Sequence, residues 1–283
     1  MKKINFAIQK SGRLTEKSLG ILRDCGYEIE DPSRKLLIPC QNYNLDIFLL
    51  RDDDIPKYIL NGICHFGIVG LNLLEEKYKE DNLTVISKLP FGKCRLSLAF
   101  KHEVKNWEDI NGKTIATSYP NILRSYLKNN LEVKIAELSG GVEIAPIINM
   151  ADGIFDIVSS GSTLKAHGLK ESFTLMESQC VLIGPQKLEG PQKAFIEGLQ
   201  KRMKSSIVSK QSSYIMLNAS KNNIDKILEV MPCGDSPSII KLSTDEFSIH
   251  GLTKKELVWE TMEKMKSLGA SNILVMPIEK MLE

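Results

Sequence analysis

Apolar residues recur along this chain in two alternating rhythms, short β-rich runs and stretches with three- and four-residue spacing, a pattern that predicts an α/β protein. INFAI (4–8) reads as a strand and leads into the polar loop Gln9-Lys10-Ser11-Gly12-Arg13. A helix then carries Leu14, Ser18, Leu19, Leu22 and Cys25 on one face and stops at Gly26. LDIFLL (45–50) is a second strand, running into Arg51-Asp52-Asp53-Asp54 and a short helix from Ile55. FGIVG (66–70) is a third, followed by the helical run LNLLEEKY.

A second block begins near Cys94. Its strands are RLSLAF, KTIATS, VKIAEL and FDIVSS, with PNILRSYLKNN and VEIAPIINMA as the helices between them. Pro120 stands where a helix accepts it, in the first turn. After VLIGP (181–185) comes a long amphipathic segment, Pro191 to about Val208, expected to return to the first block. The last 70 or so residues change rhythm. YIMLNA is a strand and Ser220 caps a helix through Met231. SIIKL and FSIHG are two strands, Thr253 to Glu256 is a capping box opening a helix to Leu268, and NILVMP is a final strand. That β-α-β-β-α-β order is the ferredoxin-like split unit.

The fold class expected is therefore α/β, a two-lobed, periplasmic-binding-protein-like core plus a C-terminal ferredoxin-like (ACT-like) domain. Residues 1–92 form lobe I, with 185–211 returning to it, 93–184 form lobe II, and 212–283 form the small domain. Small ligands favour the cleft of such a core, beyond the carboxyl ends of the strands.

Composition narrows the function classes. With 42% hydrophobic and 25% charged residues the chain is globular. Its 37 basic against 35 acidic side chains leave too little net charge for a broad nucleic-acid interface, so no nucleic-acid partner is expected. The six cysteines are scattered without a CxxC pair and read as reduced thiols. The apolar stretch before Gln9 is too short for a signal segment, and no run approaches a membrane span. A cytoplasmic protein with no membrane partner is expected.

Three segments could carry chemistry. In ADGIFDIVSSGSTL (151–164), a strand ends in Ser159, Ser160, Gly161, Ser162 and Thr163 and enters a helix. Backbone N–H groups and hydroxyls can converge there on one phosphate, with the carboxylates of Asp152 and Asp156 suited to ribose hydroxyls. An ordinary Ser/Gly turn with an N-cap would look the same. The 9–13 loop offers Lys10 and Arg13 to a polyphosphate, or is a solvated turn. The adjacent carboxylates 52–54 repel one another and need compensation from Arg51, a helix dipole or a cation such as Mg2+, unless they form an exposed acidic turn capped by Asp54. The four histidines lie too far apart for a metal site.

Taken together, QKSGRL (9–14), RDDDIP (51–56), CRLSLA (94–99), GKTIATSYP (112–120), the 151–164 loop, WETMEKMKSLGAS (259–271) and ILVMPIEKM (273–281) resemble ATP phosphoribosyltransferase, the enzyme that opens histidine biosynthesis. The likeness covers nearly the whole chain and is to the long form, which carries its own regulatory domain. It implies ATP and phosphoribosyl pyrophosphate as substrates, Mg2+ as cofactor, histidine as feedback inhibitor and a homo-oligomer, dimer or hexamer. Carried onto matching positions, it implies Lys10 and Arg13 as catalytic groups on pyrophosphate or ATP phosphates. Ser159, Ser160, Gly161, Ser162 and Thr163 would hold the phosphoribosyl group, with Asp152 or Asp156 near its ribose, while Arg51, Asp53 and Tyr119 line the nucleotide site. Ser236, Ser238 and Ala270 are the candidates for holding the inhibitor. Ser160 departs from a Thr common in relatives but keeps the hydroxyl. The 78–83 linker is shorter than in many relatives. A two-lobed solute-binding protein would share the architecture; the expected lack of an export signal and the two phosphate-suited loops argue against it.

Overall fold

The computed structural model describes residues 3–32, 35–127, 131–231, 233, 237–255 and 258–281. It divides into two compact units, 1–23 with 27–193, and 24–26 with 194–283.

The first unit is built on two mixed sheets. In the first lobe β1 (Ile4–Gln9) leads into α1 (Arg13–Asp24), and β2 (Leu37–Pro39) and β3 (Leu45–Leu50) follow. Then come α2 (Ile55–Leu60), β4 (Phe66–Gly70), α3 (Leu71–Lys77) and β5 (Leu83–Lys88). The second lobe holds β6 (Cys94–Phe100), β7 (Thr114–Thr117), α4 (Pro120–Tyr126) and β8 (Lys134–Glu137). It continues with β9 (Gly153–Val158), α5 (Ser162–Ala166) and β10 (Lys170–Ser178). The chain then recrosses as β11 (Cys180–Pro185), giving a first sheet ordered β2-β3-β1-β4-β11-β5 and a second ordered β10-β6-β9-β7-β8. The two-lobed α/β core expected from the sequence is present.

Both lobes bury what their alternation promised. Phe6, Ala7 and Ile8 of β1 are inaccessible to water, as are Leu96, Leu98, Ala99 and Phe155 at the centre of the second sheet. At roughly 1.5–3 kcal/mol for each large side chain buried, these central strands fix the register of everything that leaves their ends. The two crossings lie side by side. Cys180 N–H donates to Phe91 O (3.1 Å), Leu89 N–H to Cys180 O (2.9 Å), and the Gln179 amide to Leu89 O (2.9 Å).

Three strands and one helix differ from the sequence reading. β2, β5 and β10 were not expected, and VEIAPIINMA is not a helix. It makes one 3-10 turn at Val142–Ile144 followed by further turns, because Pro146 lacks the N–H that a continuing helix requires. The PNILRSYLKNN helix closes at Tyr126.

In the second unit α6 (Gly190–Gln211) presents Phe195, Ile196, Leu199 and Met203 as one buried stripe, its residues from 194 onward grouped with the C-terminal part of the chain. β12 (Ser212–Ser220), α7 (Ile224–Val230), β13 (Ser238–Lys241), β14 (Glu246–Lys254), α8 (Val258–Ser267) and β15 (Ser271–Pro277) follow. Their sheet order, β13-β14-β12-β15, is the ferredoxin-like one. The helix caps differ from expectation. Asn223, not Ser220, precedes α7, and Thr253 is a buried strand residue rather than the start of a capping box, while Glu256 lies outside the described residues.

Candidate functional site

β9 has the central position in the second sheet, between β6 and β7, and its carboxyl end delivers the Ser/Gly turn. Gly161 sits in the left-handed region (φ +76°) as the residue before α5, with no side chain capping that turn. The hydroxyls of Ser160 and Ser162 lie 2.9 Å apart, and Ser162 N–H reaches the Ser160 oxygen at 3.4 Å. A cavity of about 220 Å3 opens here, lined among others by Asp156, Ser159, Ser160, Gly161, Ser162 and Thr163. Its acceptors and short hydroxyl donors suit a phosphorylated sugar.

Asp156 is half-buried, and that burial pushes its carboxyl above the usual range. The Ile157 N–H it accepts (2.8 Å) opposes the shift, and the charge of Glu143 adds to it. Glu143 lines the same cavity from the 3-10 turn after Gly140-Gly141. It is a site residue that the sequence reading missed, because it lies in the segment misread as a helix. The glycine pair ahead of it was the available sign of a turn.

Asp152 is not brought to this cavity. It precedes β9 at the far end, where its carboxylate accepts the Thr114 N–H (2.8 Å), and it lines a different cavity with Lys101, His102 and Lys113. Four residues of extended chain span about 13 Å, so the two carboxylates read as a pair cannot meet one ribose.

The turn is held from behind by Arg95 of β6. Its guanidinium binds both oxygens of Glu171 (2.5 and 2.6 Å) and donates to Ser159 O (3.2 Å), while Ser97 Oγ donates to the same carboxylate (2.7 Å). This bidentate pair fixes the plane from which Arg95 reaches the turn. The Arg95 contact holds Glu171 below, and itself above, the usual range.

In the first lobe Lys10 is exposed at the end of β1, its N–H donating to Leu50 O (2.7 Å). Arg13 opens α1, and its side chain lies outside the described residues. Exposed Arg51 precedes a 3-10 turn formed by the three aspartates. Each carboxylate finds a different environment. Asp52 accepts the Gln9 amide (2.9 Å), Asp53 pairs with Lys77 (2.8 Å), and Asp54 faces Lys57 (3.7 Å). Burial, with the charge of Asp53, pushes Asp52 up to about 6. One oxygen on each of Gln9 and Asp52 remains buried without a partner.

Tyr119 links the lobes. It precedes α4, accepts the Asn72 amide of α3 on its hydroxyl (3.3 Å), and is raised by burial and by the charges of Asp156 and, more weakly, Asp53. Tyr119 therefore lies within the field of Asp156 and Asp53, although it does not line the cavity of Asp156, and it is held by Asn72, a further residue that no motif had marked. Asn72 is itself locked by Ser178, which accepts its N–H (3.0 Å) and donates to its side-chain oxygen (2.9 Å).

In the second unit Ser236 lies outside the described residues. Ser238 opens the edge strand β13 and Ala270 precedes β15 on the opposite edge, with β14 and β12 between them. Three strand spacings separate those edges by about 14 Å, so one small inhibitor cannot contact both within one chain. Among the described residues no His, Cys, Asp and Glu side chains converge in a group of three or more that could hold a metal, and no helix is long and apolar enough to cross a membrane.

Comparison with known proteins adds names to this geometry. The family model described as ATP phosphoribosyltransferase matches residues 51–205, and the one described as the HisG C-terminal domain matches residues 209–280. Curated relatives from Bacteroides thetaiotaomicron and Cytophaga hutchinsonii, both named ATP phosphoribosyltransferase, are each 40% identical to this chain, covering 99% of it and 99% of their own length. Among solved structures, a chain of an ATP phosphoribosyl transferase (HisG:HisZ) complex from Thermotoga maritima matches at a TM-score of 0.59 with 28% identity, over 71% of this chain and 98% of its own.

Proposed function

The chain belongs to the ATP phosphoribosyltransferase family, and from that premise we propose how its residues divide the reaction. The enzyme is a pentosyltransferase of the first step of histidine biosynthesis, joining ATP to phosphoribosyl pyrophosphate. The proposed product is N1-(5-phospho-β-D-ribosyl)-ATP, with pyrophosphate released.

One observation carries the residue assignment: the Ser159 to Thr163 turn lines a single cavity with the carboxylates of Asp156 and Glu143. In this reading the turn holds the 5-phosphate, and Asp156 and Glu143 hold the ribose hydroxyls. Asp152 is left out of the assignment. ATP enters from the first lobe, with Lys10 and Arg13 towards pyrophosphate or ATP phosphates and Arg51, Asp53 and Tyr119 around the nucleotide. Adenine N1 attacks the anomeric carbon as the bond to pyrophosphate breaks. N1 has a free lone pair, so no base is required, and the chain's contribution is alignment and stabilisation of the departing charge.

Asp156, Glu143 and Asp53 supply oxygen donors of the hard kind Mg2+ prefers, although no dedicated cage is present among the described residues. Mg2+ would be held largely through pyrophosphate oxygens and water, where it neutralises leaving-group charge. Histidine as feedback inhibitor is assigned to the C-terminal domain, 212–283, with 1–92 and 93–184 as the catalytic lobes. A homo-oligomer, dimer or hexamer, and a cytoplasmic setting complete the reading. Exposed Ile240, Leu252, Leu274 and Met276 on the C-terminal sheet suit a neighbouring copy.

The test mixes protein, ATP, phosphoribosyl pyrophosphate and Mg2+ and follows the absorbance of the N1-substituted product. Turnover that Ser160→Ala, Ser162→Ala and Asp156→Asn leave intact would reject the site.

A further inference from the structure

The lobes are tied together by a carboxylate that no motif marks. Glu76 lies on α3 of the first lobe and is only 5% exposed. Its two oxygens accept the backbone N–H groups of Asn121 and Ile122, at 2.9 Å each, and its own carbonyl accepts the Asn121 side-chain amide at 2.9 Å. Those N–H groups belong to the first turn of α4, in the second lobe, where a helix has no internal acceptors.

The usual remedy is a Ser, Thr, Asp or Asn just before the helix. Here that place is held by Tyr119, which makes no side-chain cap bond. Its phenol accepts the Asn72 amide instead and lies within the field of Asp156. The capping task has moved to the other lobe. Asn72 and Glu76 are four residues apart, hence on one face of α3, and both address the Tyr119 to Ile122 segment. A charged acceptor of backbone N–H groups gives stronger and more directional bonds than a neutral one, so this face sets where α4, and with it Tyr119, stands relative to the first lobe.

We propose that Glu76 is a positioning residue for the transfer reaction: by capping α4 from the opposite lobe it holds Tyr119, and with it the two substrate-bearing lobes, in the reactive register. The inference rests on the proposed function, which assigns Tyr119 and Asp156 to the reaction site. Glu76 touches no substrate in this scheme. Its effect is on alignment, where a displacement of about 1 Å costs on the order of 100-fold in rate.

The experiment measures steady-state kinetics and thermal melting of the full-length wild type, Glu76→Gln, Asn121→Ala, Tyr119→Phe and the Glu76→Gln/Tyr119→Phe double variant. Gln keeps the volume but turns an N–H2 towards a backbone N–H. At a temperature well below melting, kcat and kcat/KM of Glu76→Gln are expected to fall together by roughly 10-fold to 100-fold. Asn121→Ala, which removes one neutral hydrogen bond from the same junction, is expected to lower kcat about 2-fold to 10-fold, and it carries the test if Glu76→Gln does not fold. In the Tyr119→Phe background the loss from Glu76→Gln should shrink, because both act on one alignment. A Glu76→Gln protein that melts lower yet keeps wild-type kcat would make the residue a plain structural cap and overturn the proposal. So would strictly additive losses in the double variant. A wild-type enzyme inactive on ATP and phosphoribosyl pyrophosphate would remove the functional reading and this proposal with it, an outcome distinct from active variants.

Discussion

Replacing Gly161 by Ala separates the phosphate turn's chemistry from its conformation. Gly161 has φ +76°, and a Cβ placed there would meet nothing closer than Val158 Cγ1 at 3.9 Å. The cost is therefore conformational rather than steric, about 1–2 kcal/mol for a side chain in the left-handed region. That should lower Tm by roughly 2–8 °C for a chain of this size. If the backbone relaxes to escape the strain, the N–H groups of the turn lose their common focus. Each hydrogen bond to a charged phosphate is worth about 1.5–3 kcal/mol, so KM for phosphoribosyl pyrophosphate should rise on the order of 10-fold to 100-fold. Gly168 supplies the control. It has φ +68° with open space around its Cα, but lies beyond the end of α5 and outside the cavity lining. Gly168→Ala should cost the same stability and leave that KM unchanged. The assay varies phosphoribosyl pyrophosphate at saturating ATP, with melts of both variants. Equal KM effects, or none at Gly161, would refute the assignment of the turn.

Other consequences are as direct. Asp152→Ala should cost stability through the lost Thr114 contact, about 1–2 kcal/mol, while KM for either substrate stays within about twofold; a large KM effect would restore the ribose role to Asp152. Arg95→Lys cannot keep both the bidentate Glu171 pair and the bond to Ser159 O, so KM for phosphoribosyl pyrophosphate should rise several-fold with kcat nearly unchanged. Asp52 is raised from 3.8 to about 6 by burial, so the unfolded chain ionises first and wild-type stability falls as pH rises through that interval. Asp52→Asn should thus melt higher than wild type above pH about 7, with the gain shrinking towards pH about 4 in melts across that range; a gain independent of pH would contradict the cause. Histidine should inhibit the full chain, and a version truncated after residue 211 that still turns over should be insensitive to it.

The sequence was most legible where a strand or helix carries its whole signal locally. β1, β3, β4 and β9 each hold a compact apolar run, and α1 shows one continuous stripe. β10 was missed because two irregularities, between Glu171 and Phe173 and between Thr174 and Met176, break its alternation against β6. β5 pairs on one side only and leaves half of its residues exposed, so its pattern is diluted. At the site, the serines and glycine of the phosphate turn could be read because adjacent residues build it. Glu143, Asn72 and Glu76 could not, since what gives each its place is a partner 13 to 106 positions away. The pairing of Asp152 with Asp156 failed for a related reason. A spacing of four brings side chains together on a helix, but sets them about 13 Å apart on a strand.

The place of β11 has a consequence for how the chain comes into being. It is inserted between β4 and β5, pairing with both, yet it is made only after the entire second lobe. Until residue 185 has left the ribosome, β5 lacks the strand it pairs with and β4 has one unmet edge. The strands of the second sheet, 94–178, are by contrast an unbroken stretch. The lobe that comes second in the sequence is therefore the first able to close its sheet during synthesis, and the first lobe waits for it with an open seam.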